Sequence, residues 1–454
     1  DISSVQVLGQ VLVILNSTTA ARDLLEKKAS IYSGRPIGHF FDMMNWSWNI
    51  VSTTYSAELR LRRKMLDRGM RPSAAVLYRP LQKDKVHHFL KQVLLKPKDF
   101  RKHVKHLQGA IMMSLVYGYD VQEENDSYVK TVLDVLEIAE RALLPGSVLV
   151  NDIPFLKYLP EWLPGMGFKA VARVGEKLGQ DMVNFPFDFV KDRIQQGVAR
   201  PSVTRENLLE LEQNHGVDPE EAERAIAEAS GSVYPAGADT TRKSVSAIST
   251  LFLVLALYPE VQRRAQAELD AVTKGQRLPD FGDKPRLPYV EALWKEVLRW
   301  KSVAPVGVPH ATTEDNVYDG YFIPKGAVVI AIYGARFLSW LDEDLASDIL
   351  SHQGLRARPQ SVRADPTLAT VFGFGKRICP GRHIAEDTLF IVAAAILATF
   401  TIGKAKDAHG NEVPVECKYS GAVIIQANDF ECSIVPRSKK AEELICMESW
   451  ETDI

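Results

Sequence analysis

The string Phe372-Gly-Phe-Gly-Lys-Arg-Ile-Cys-Pro-Gly381 is the part of the chain best suited to chemistry. It presents one thiol, Cys379, on a glycine-bearing loop. A helix predicted from Arg382 follows at once. A helix N-terminus carries partial positive charge and free N–H groups, and both keep a thiolate ionised. Gly373 and Gly375 permit tight turning and close approach to a flat ring. A thiolate held this way suits an iron porphyrin, where it pushes electron density to the metal and favours O–O cleavage. For an isolated cysteine the plainer reading, a buried core thiol in a turn, is the stronger one. A dinucleotide loop is excluded, because G-x-G-x-x-G needs glycine where Ile378 stands.

A second stretch, Ala236-Gly-Ala-Asp-Thr-Thr241, lies inside a long predicted helix. Small residues followed by an acid and a hydroxyl are unusual in a helix core. Gly costs about 1 kcal/mol against Ala there, and Pro235 removes a hydrogen bond. Such a spot can open a groove in which Asp239 and Thr240 move protons. In an arbitrary chain a kinked core helix with a solvated acid is the better reading. Glu296 and Arg299 lie one turn apart and share a helix face, a spacing that usually marks a solvated pair of little worth.

At these residues the chain resembles the cytochrome P-450 superfamily, in particular its fungal microsomal members. Residues 372–381 match that family's heme-binding signature throughout, and the resemblance runs over essentially the whole length. It implies a heme b cofactor (iron protoporphyrin IX) with Cys379 as the iron ligand, and Phe372, Gly373 and Gly381 in the cofactor-binding loop. It implies that Arg63, His310 and Arg377 meet the heme propionates, and that Asp239 and Thr240 are the catalytic proton relay. It implies that Glu296 and Arg299 form a buried pair beneath the cysteine loop.

Three departures from the family pattern stand out. Leu59 occupies a position where a tryptophan usually adds a propionate bond. Residues 338–361 lack the family's third network arginine, for which Arg356 or Arg358 could substitute. Pro235 replaces a residue that is usually not proline.

The resemblance further implies O2 and a lipophilic small molecule as substrates, with electrons from an NADPH-cytochrome reductase. The reaction expected is insertion of one oxygen atom, a hydroxylation in fungal secondary or xenobiotic metabolism. A peroxide-driven relative and a non-catalytic heme or lipid carrier are the alternatives. Intact Asp239 and Thr240 argue against the carrier. Lys376, Arg377 and Arg382, with the basic run Arg60, Arg62 and Lys64, offer a dock for an acidic reductase. By family position the substrate pocket draws on the region of Trp46 and Trp48, on Tyr234 and Ala238, on residues 303–308 and on Ala422-Val423. The loop 161–168 offers exposed-looking apolar residues to a membrane surface. The location implied is the endoplasmic reticulum membrane, with the catalytic domain facing the cytosol.

These residues need a frame. The chain has 454 residues, 46% of them hydrophobic and 25% charged, ordinary for a large globular core. A net charge of -2 gives no global reason to expect nucleic-acid binding. Four cysteines without C-x-x-C spacing exclude a zinc or dithiol motif and indicate a reducing compartment. The sequons at Asn16, Asn45 and Asn125 are therefore read as chance. No apolar run reaches the 18 or more residues of a membrane span. The sequence begins at Asp1 without Met, and an N-terminal anchor is expected to be missing from it.

Alternation around Gly9-Gln10 predicts a starting hairpin. Helices are predicted at 57–66, over most of 83–197, and from an Asp218 cap with Pro219 to about 257. More follow at 260–272, 289–300 and 382–400. A β-region is predicted with strands at 317–323 and 328–332, and strand-like pieces at 423–426 and 431–435. The fold class expected is mainly α with a small β-rich lobe, as one large catalytic domain over residues 1–454.

Overall fold

The architecture is that of a computed structural model. It describes all residues except 8, 37, 124, 144–145, 214–217, 333–370, 422–424 and 451–454, and only the backbone of 143 and 235–244. The helices are α1 Thr18–Arg22, α2 His39–Met43, α3 Ala57–Met70, α4 Pro72–Ala75, α5 Arg79–Leu95, α6 Phe100–Tyr117, α7 Ser127–Leu143, α8 Phe168–Gln195, α9 Val203–Gln213, α10 Pro219–Leu257, α11 Pro259–Thr273, α12 Pro288–Trp300, α13 Arg382–Thr399 and α14 Lys439–Cys446. The strands are β1 Ile2–Val7, β2 Gln10–Leu15, β3 His310–Ala311, β4 Asn316–Tyr318, β5 Tyr321–Ile323, β6 Val328–Ala331, β7 Phe400–Lys404, β8 Tyr419–Ser420, β9 Gln426–Ala427 and β10 Cys432–Pro436.

The helical mass is organised around α10. Its first turn forms as the sequence suggests: the Asp218 carboxylate accepts from the Glu220 N–H, and Pro219 takes the first position. The helix then continues through Pro235 to Leu257. It packs antiparallel to α6, with Phe100 and Phe252 rings 4.7 Å apart. The apolar run 389–397 of α13 is buried on every side, which explains a hydrophobic stretch without amphipathic spacing. Among the described residues no single helix is long and apolar enough to cross a membrane.

The β-rich lobe is a four-stranded sheet in the order β1-β2-β6-β3. The β1–β2 hairpin turns at Gly9, with Val7 opposite Gln10. The segment 317–323, predicted as one strand, is instead a second hairpin, β4 to β5, turning at Asp319-Gly320. Both turn residues have positive φ, 50° and 79°, the geometry that Asp-Gly favours in two-residue hairpins. Helix α14 is an addition to the sequence reading. Ser438 caps it by accepting from the Ala441 N–H.

Two helical glycines show how close packing decides a glycine's worth. Gly179 in α8 lies against Trp46, and an added Cβ would meet the indole Nε1. Gly109 in α6 has open space at the same position. Gly109→Ala is expected to raise stability by about 1 kcal/mol through helix propensity. Gly179→Ala is expected to lower it by about 1–3 kcal/mol through overpacking. Denaturant titration of the two variants measures the opposite signs.

Candidate active site

The cysteine loop is shaped by its glycines. Gly373 and Gly375 have φ of 81° and 51°, in the left-handed region that glycine tolerates. Between them Phe374 is buried in the β-lobe core. Residues Gly375–Arg377 form one 3-10 turn. The Cys379 N–H then closes the loop by donating to the Phe372 carbonyl at 2.8 Å. Two residues later Gly381 is the N-cap of α13, so the thiol stands just before a helix N-terminus, as predicted. None of the four cysteines is in a disulfide.

Cys379 faces a cavity between the helical mass and the β-lobe. Phe372, Gly373, Pro380 and Gly381 line the same cavity, with Arg63, His310 and Arg377. Its other walls are apolar and come from α6 (Ile111, Met112), α12 (Leu298) and the segment around Val303 and Val308. Val233 and Ala247 of α10 also line it. These two residues are about 21 Å apart along the helix, at 1.5 Å per residue. The stretch 236–241 lies between them. The side chains of Ala238, Asp239 and Thr240 lie outside the described residues, and only their helical backbone is described.

The electrostatics of the cavity are cationic. Arg377 is buried. It donates from Nε to the Ser33 carbonyl at 2.8 Å, from Nη1 to Ile50 at 3.2 Å and from Nη2 to Thr53 at 2.6 Å. Burial, then the neighbouring Arg35 and Arg63 cations, push its pKa down to about 9. Arg63 donates to the Ile378 carbonyl at 2.8 Å. Burial lowers its pKa, and the nearby Cys379 partly offsets that. Among the described residues neither guanidinium forms an ion pair with a carboxylate.

His310 is buried, and its Nδ1 is 2.7 Å from the Tyr32 carbonyl. A carbonyl only accepts, so Nδ1 carries the proton and a neutral ring presents a bare Nε2. Burial first, then Arg35 and Arg377, hold the ring neutral with a pKa down at about 3.

The donor set therefore consists of a thiol, one buried and one half-buried cation without a carboxylate partner among the described residues, and apolar walls. It fits a flat amphiphile that brings its own carboxylates and a thiophilic metal. Heme is such a group, and Cys379, Arg63, Arg377 and His310 are the residues that could hold it.

Several sequence expectations need correction. Arg62, expected in an exposed basic run, is buried and paired with Glu228 of α10, Nη2 to Oε2 at 2.6 Å. Breaking such a buried pair costs about 3–5 kcal/mol. Arg377, counted in the other surface cluster, is likewise inside. Arg60, Lys64 and Lys376 remain exposed. Arg60 and Lys376 lie 5.5 and 4.3 Å from the Tyr55 ring centre. Trp46 and Trp48 pack in the helical core with tilted rings 5.8 Å apart, and Tyr234 is packed there too; none of the three lines the cavity. Ile50 and Val51 take the place of the tryptophans as cavity wall.

Glu296 and Arg299 do pair, but Arg299 is 39% exposed. Arg356, Arg358, Ala422 and Val423 lie outside the described residues. Leu59 is fully buried core. Sequence reasoning missed Gln108 and Arg35 as lining residues. Gln108 lies a turn before the apolar Ile111 and Met112 on the same helix, a signal that was legible.

Comparison with known proteins accords with this geometry. The family model for cytochrome P-450 matches residues 1–336. A cytochrome P-450 monooxygenase of Armillaria gallica is 39% identical, over 98% of this chain and 86% of its own length. One from Postia placenta is 40% identical over 98% and 85%. The tryptamine 4-monooxygenase of Psilocybe cyanescens is 34% identical over 97% and 86%. A zebra fish cytochrome P-450 solved with abiraterone shares the fold, with a TM-score of 0.70 at 17% identity and 96% of each chain covered. The chain belongs to the cytochrome P-450 family. It is an oxidoreductase of the monooxygenase type with a heme-iron cofactor, and the three monooxygenases named above are fungal.

Gly375 is the tightest point of the cysteine loop. An added Cβ would collide with the Leu25 carbonyl oxygen, at a φ that already disfavours side chains. Gly375→Ala is expected to cost roughly 3 kcal/mol, combining overpacking with backbone strain. Chemical denaturation of the variant measures this, and a loss under 1 kcal/mol would show that the loop can shift freely.

Proposed function

We propose that this protein hydroxylates a lipophilic small molecule with O2, using heme b held by Cys379 and electrons from an NADPH-dependent flavoprotein reductase. The observation that carries this reading is the shared cavity. One thiol before a helix N-terminus, the buried Arg377 guanidinium and the half-buried Arg63 guanidinium, neither paired with a carboxylate among the described residues, face the same apolar space. When bound, a thiolate-ligated heme supplies the iron at which O2 is split and one oxygen atom enters the substrate.

The chain's residues have separable tasks. The N-terminus of α13 and Arg63 keep Cys379 as a thiolate. Arg63 and Arg377 bind the carboxylates, and their fixed backbone bonds orient them before the cofactor arrives. His310 pairs with a carboxylate once its Nε2 takes a proton, which a nearby negative charge favours. Phe372, Gly373 and Gly381 let the ring approach closely. Asp239 and Thr240 move protons from α10 into the cavity, and the aliphatic walls exclude water and select apolar ligands. Residues 1–454 act as one catalytic domain.

The setting proposed is the cytosolic face of the endoplasmic reticulum membrane. Between α7 and α8, Phe155, Tyr158 and Trp162 are 64–79% exposed. Such residues rest favourably at a lipid interface. Arg60, Lys64 and Lys376 provide the cationic dock for the reductase.

The reduced carbon-monoxide difference spectrum tests the ligand assignment. A thiolate-type Soret band is expected, and Cys379→Ser is expected to abolish it; a band that survives the substitution would remove Cys379 from the iron. For the dock, charge reversal of Arg60 and Lys64 together is expected to cut reductase-driven turnover about tenfold and flatten its salt dependence. The dithionite-reduced spectrum is expected to stay the same. Unchanged turnover would place the dock elsewhere.

A further inference from the structure

We infer that Arg35 is a positioning residue that clasps together the two irregular segments walling the cavity, and thereby sets the size of ligand admitted. The inference rests on the reading of this cavity as the heme and substrate site. Arg35 Nε donates to the Val51 carbonyl at 3.1 Å. Its Nη1 donates to the carbonyls of Val308 and Pro309, each at 2.8 Å. Val51 and Val308 both line the cavity, as does Arg35 itself. One guanidinium therefore spans two walls that lie more than 250 residues apart in sequence.

The backbone around Arg35 is fixed on one side. Tyr32 accepts from His310, Gly34 accepts from the Ala311 N–H at 2.9 Å, and Ile31 accepts from the Thr313 N–H at 2.9 Å. A side chain at Gly34 would collide with the Ala311 carbonyl, so the two strands of chain stay in close contact. Arg35 is thereby fastened to the Val308 wall, and its Nε reaches across to Val51. The Val51 wall has its own anchors on the far side. Ser232 of α10 accepts from the Ile50 N–H at 3.1 Å, and Arg377 holds the Ile50 and Thr53 carbonyls.

Only a forked, planar donor can serve two walls at once. Lysine keeps the charge but carries a single nitrogen on a flexible stem. Charge and clasp can therefore be separated. Arg35→Lys retains the cation beside His310 and Arg377 but loses the span, whereas Arg35→Gln loses the charge as well.

The test uses the heme-loaded protein and two nitrogen ligands of different size, imidazole and 4-phenylimidazole, titrated by their spectral shifts. For Arg35→Lys the heme content and the thiolate-type carbon-monoxide band are expected to persist. The imidazole Kd is expected to stay within twofold, while the 4-phenylimidazole Kd weakens about tenfold as the wall contacts loosen. Arg35→Gln is expected to show the same change in ratio. The inference is overturned if the two ligands shift together, if neither shifts, or if only Arg35→Gln responds, which would make Arg35 an electrostatic residue alone. A missing thiolate band in the unaltered protein would instead overturn the reading of the cavity, and the inference with it.

Discussion

The site depends on one buried cation. Arg377 stands in the cysteine loop, yet its three donor positions serve carbonyls at Ser33, Ile50 and Thr53. Burying a guanidinium is costly unless its hydrogen bonds are made. Backbone carbonyls supply partial negative charge but no full neutralisation. The loop, the cavity wall and the chain before α2 are thus held in one arrangement by a group that retains a positive charge. Burial is the main cause of the depressed Arg377 and His310 pKa values; Arg35 adds to both, and Arg63 to that of Arg377, so the neighbouring cations do not cancel the charge. An anionic ligand beside Arg377 would relieve this condition.

Around that cation the site divides by chemistry. The sulfur lies toward α13, directly before that helix's N-terminus and near Arg63. The aliphatic side of the cavity comes from α6, α12 and the segment after α12. A group that is charged at one edge, apolar elsewhere and metal-bearing at its centre satisfies all three surfaces together. The fold makes this possible because α10 packs against both α3 and α6 and carries cavity residues at either end of its central stretch.

Much of this was legible in the sequence because local chemistry decides it. Gly373, Gly375 and the position of Cys379 before a helix follow from backbone rules, and the structure forms them as written. The Asp319-Gly320 hairpin was equally legible, since Asp-Gly between apolar residues is a turn signal; reading 317–323 as one strand ignored it. Arg62 was misread for a similar reason. It falls on the stripe with Leu59, Leu66 and Met70, all buried, and the charge was weighed above the spacing. Arg35 could not be found this way. Its partners are backbone carbonyls at positions 51, 308 and 309, and no side-chain pattern encodes a bond to a distant carbonyl. The tryptophans failed by context: Trp46 and Trp48 belong to a core that includes Gly179 and Met44, and only the packing reveals which face they turn to.

The aliphatic character of the walls also limits how selectivity can arise. A hydrophobic pocket distinguishes ligands differing by a methylene by about 1–3 kcal/mol, whereas hydrogen-bonding sites discriminate far more strongly. With few polar groups on the apolar side, shape must carry the choice, and shape holds only as firmly as the walls. Two of the walls here, around Val51 and Val308, are irregular segments, joined to each other by the guanidinium–carbonyl bonds of Arg35. Hydrogen bonds to charged groups contribute about 1.5–3 kcal/mol each. The free energy that holds the walls at their spacing is thus of the same size as the discrimination they must deliver. Relatives sharing the iron ligand and helix frame can therefore differ in substrate through the few bonds that set the distance between residues such as Val51 and Val308, with no change in the atoms that touch the oxygen.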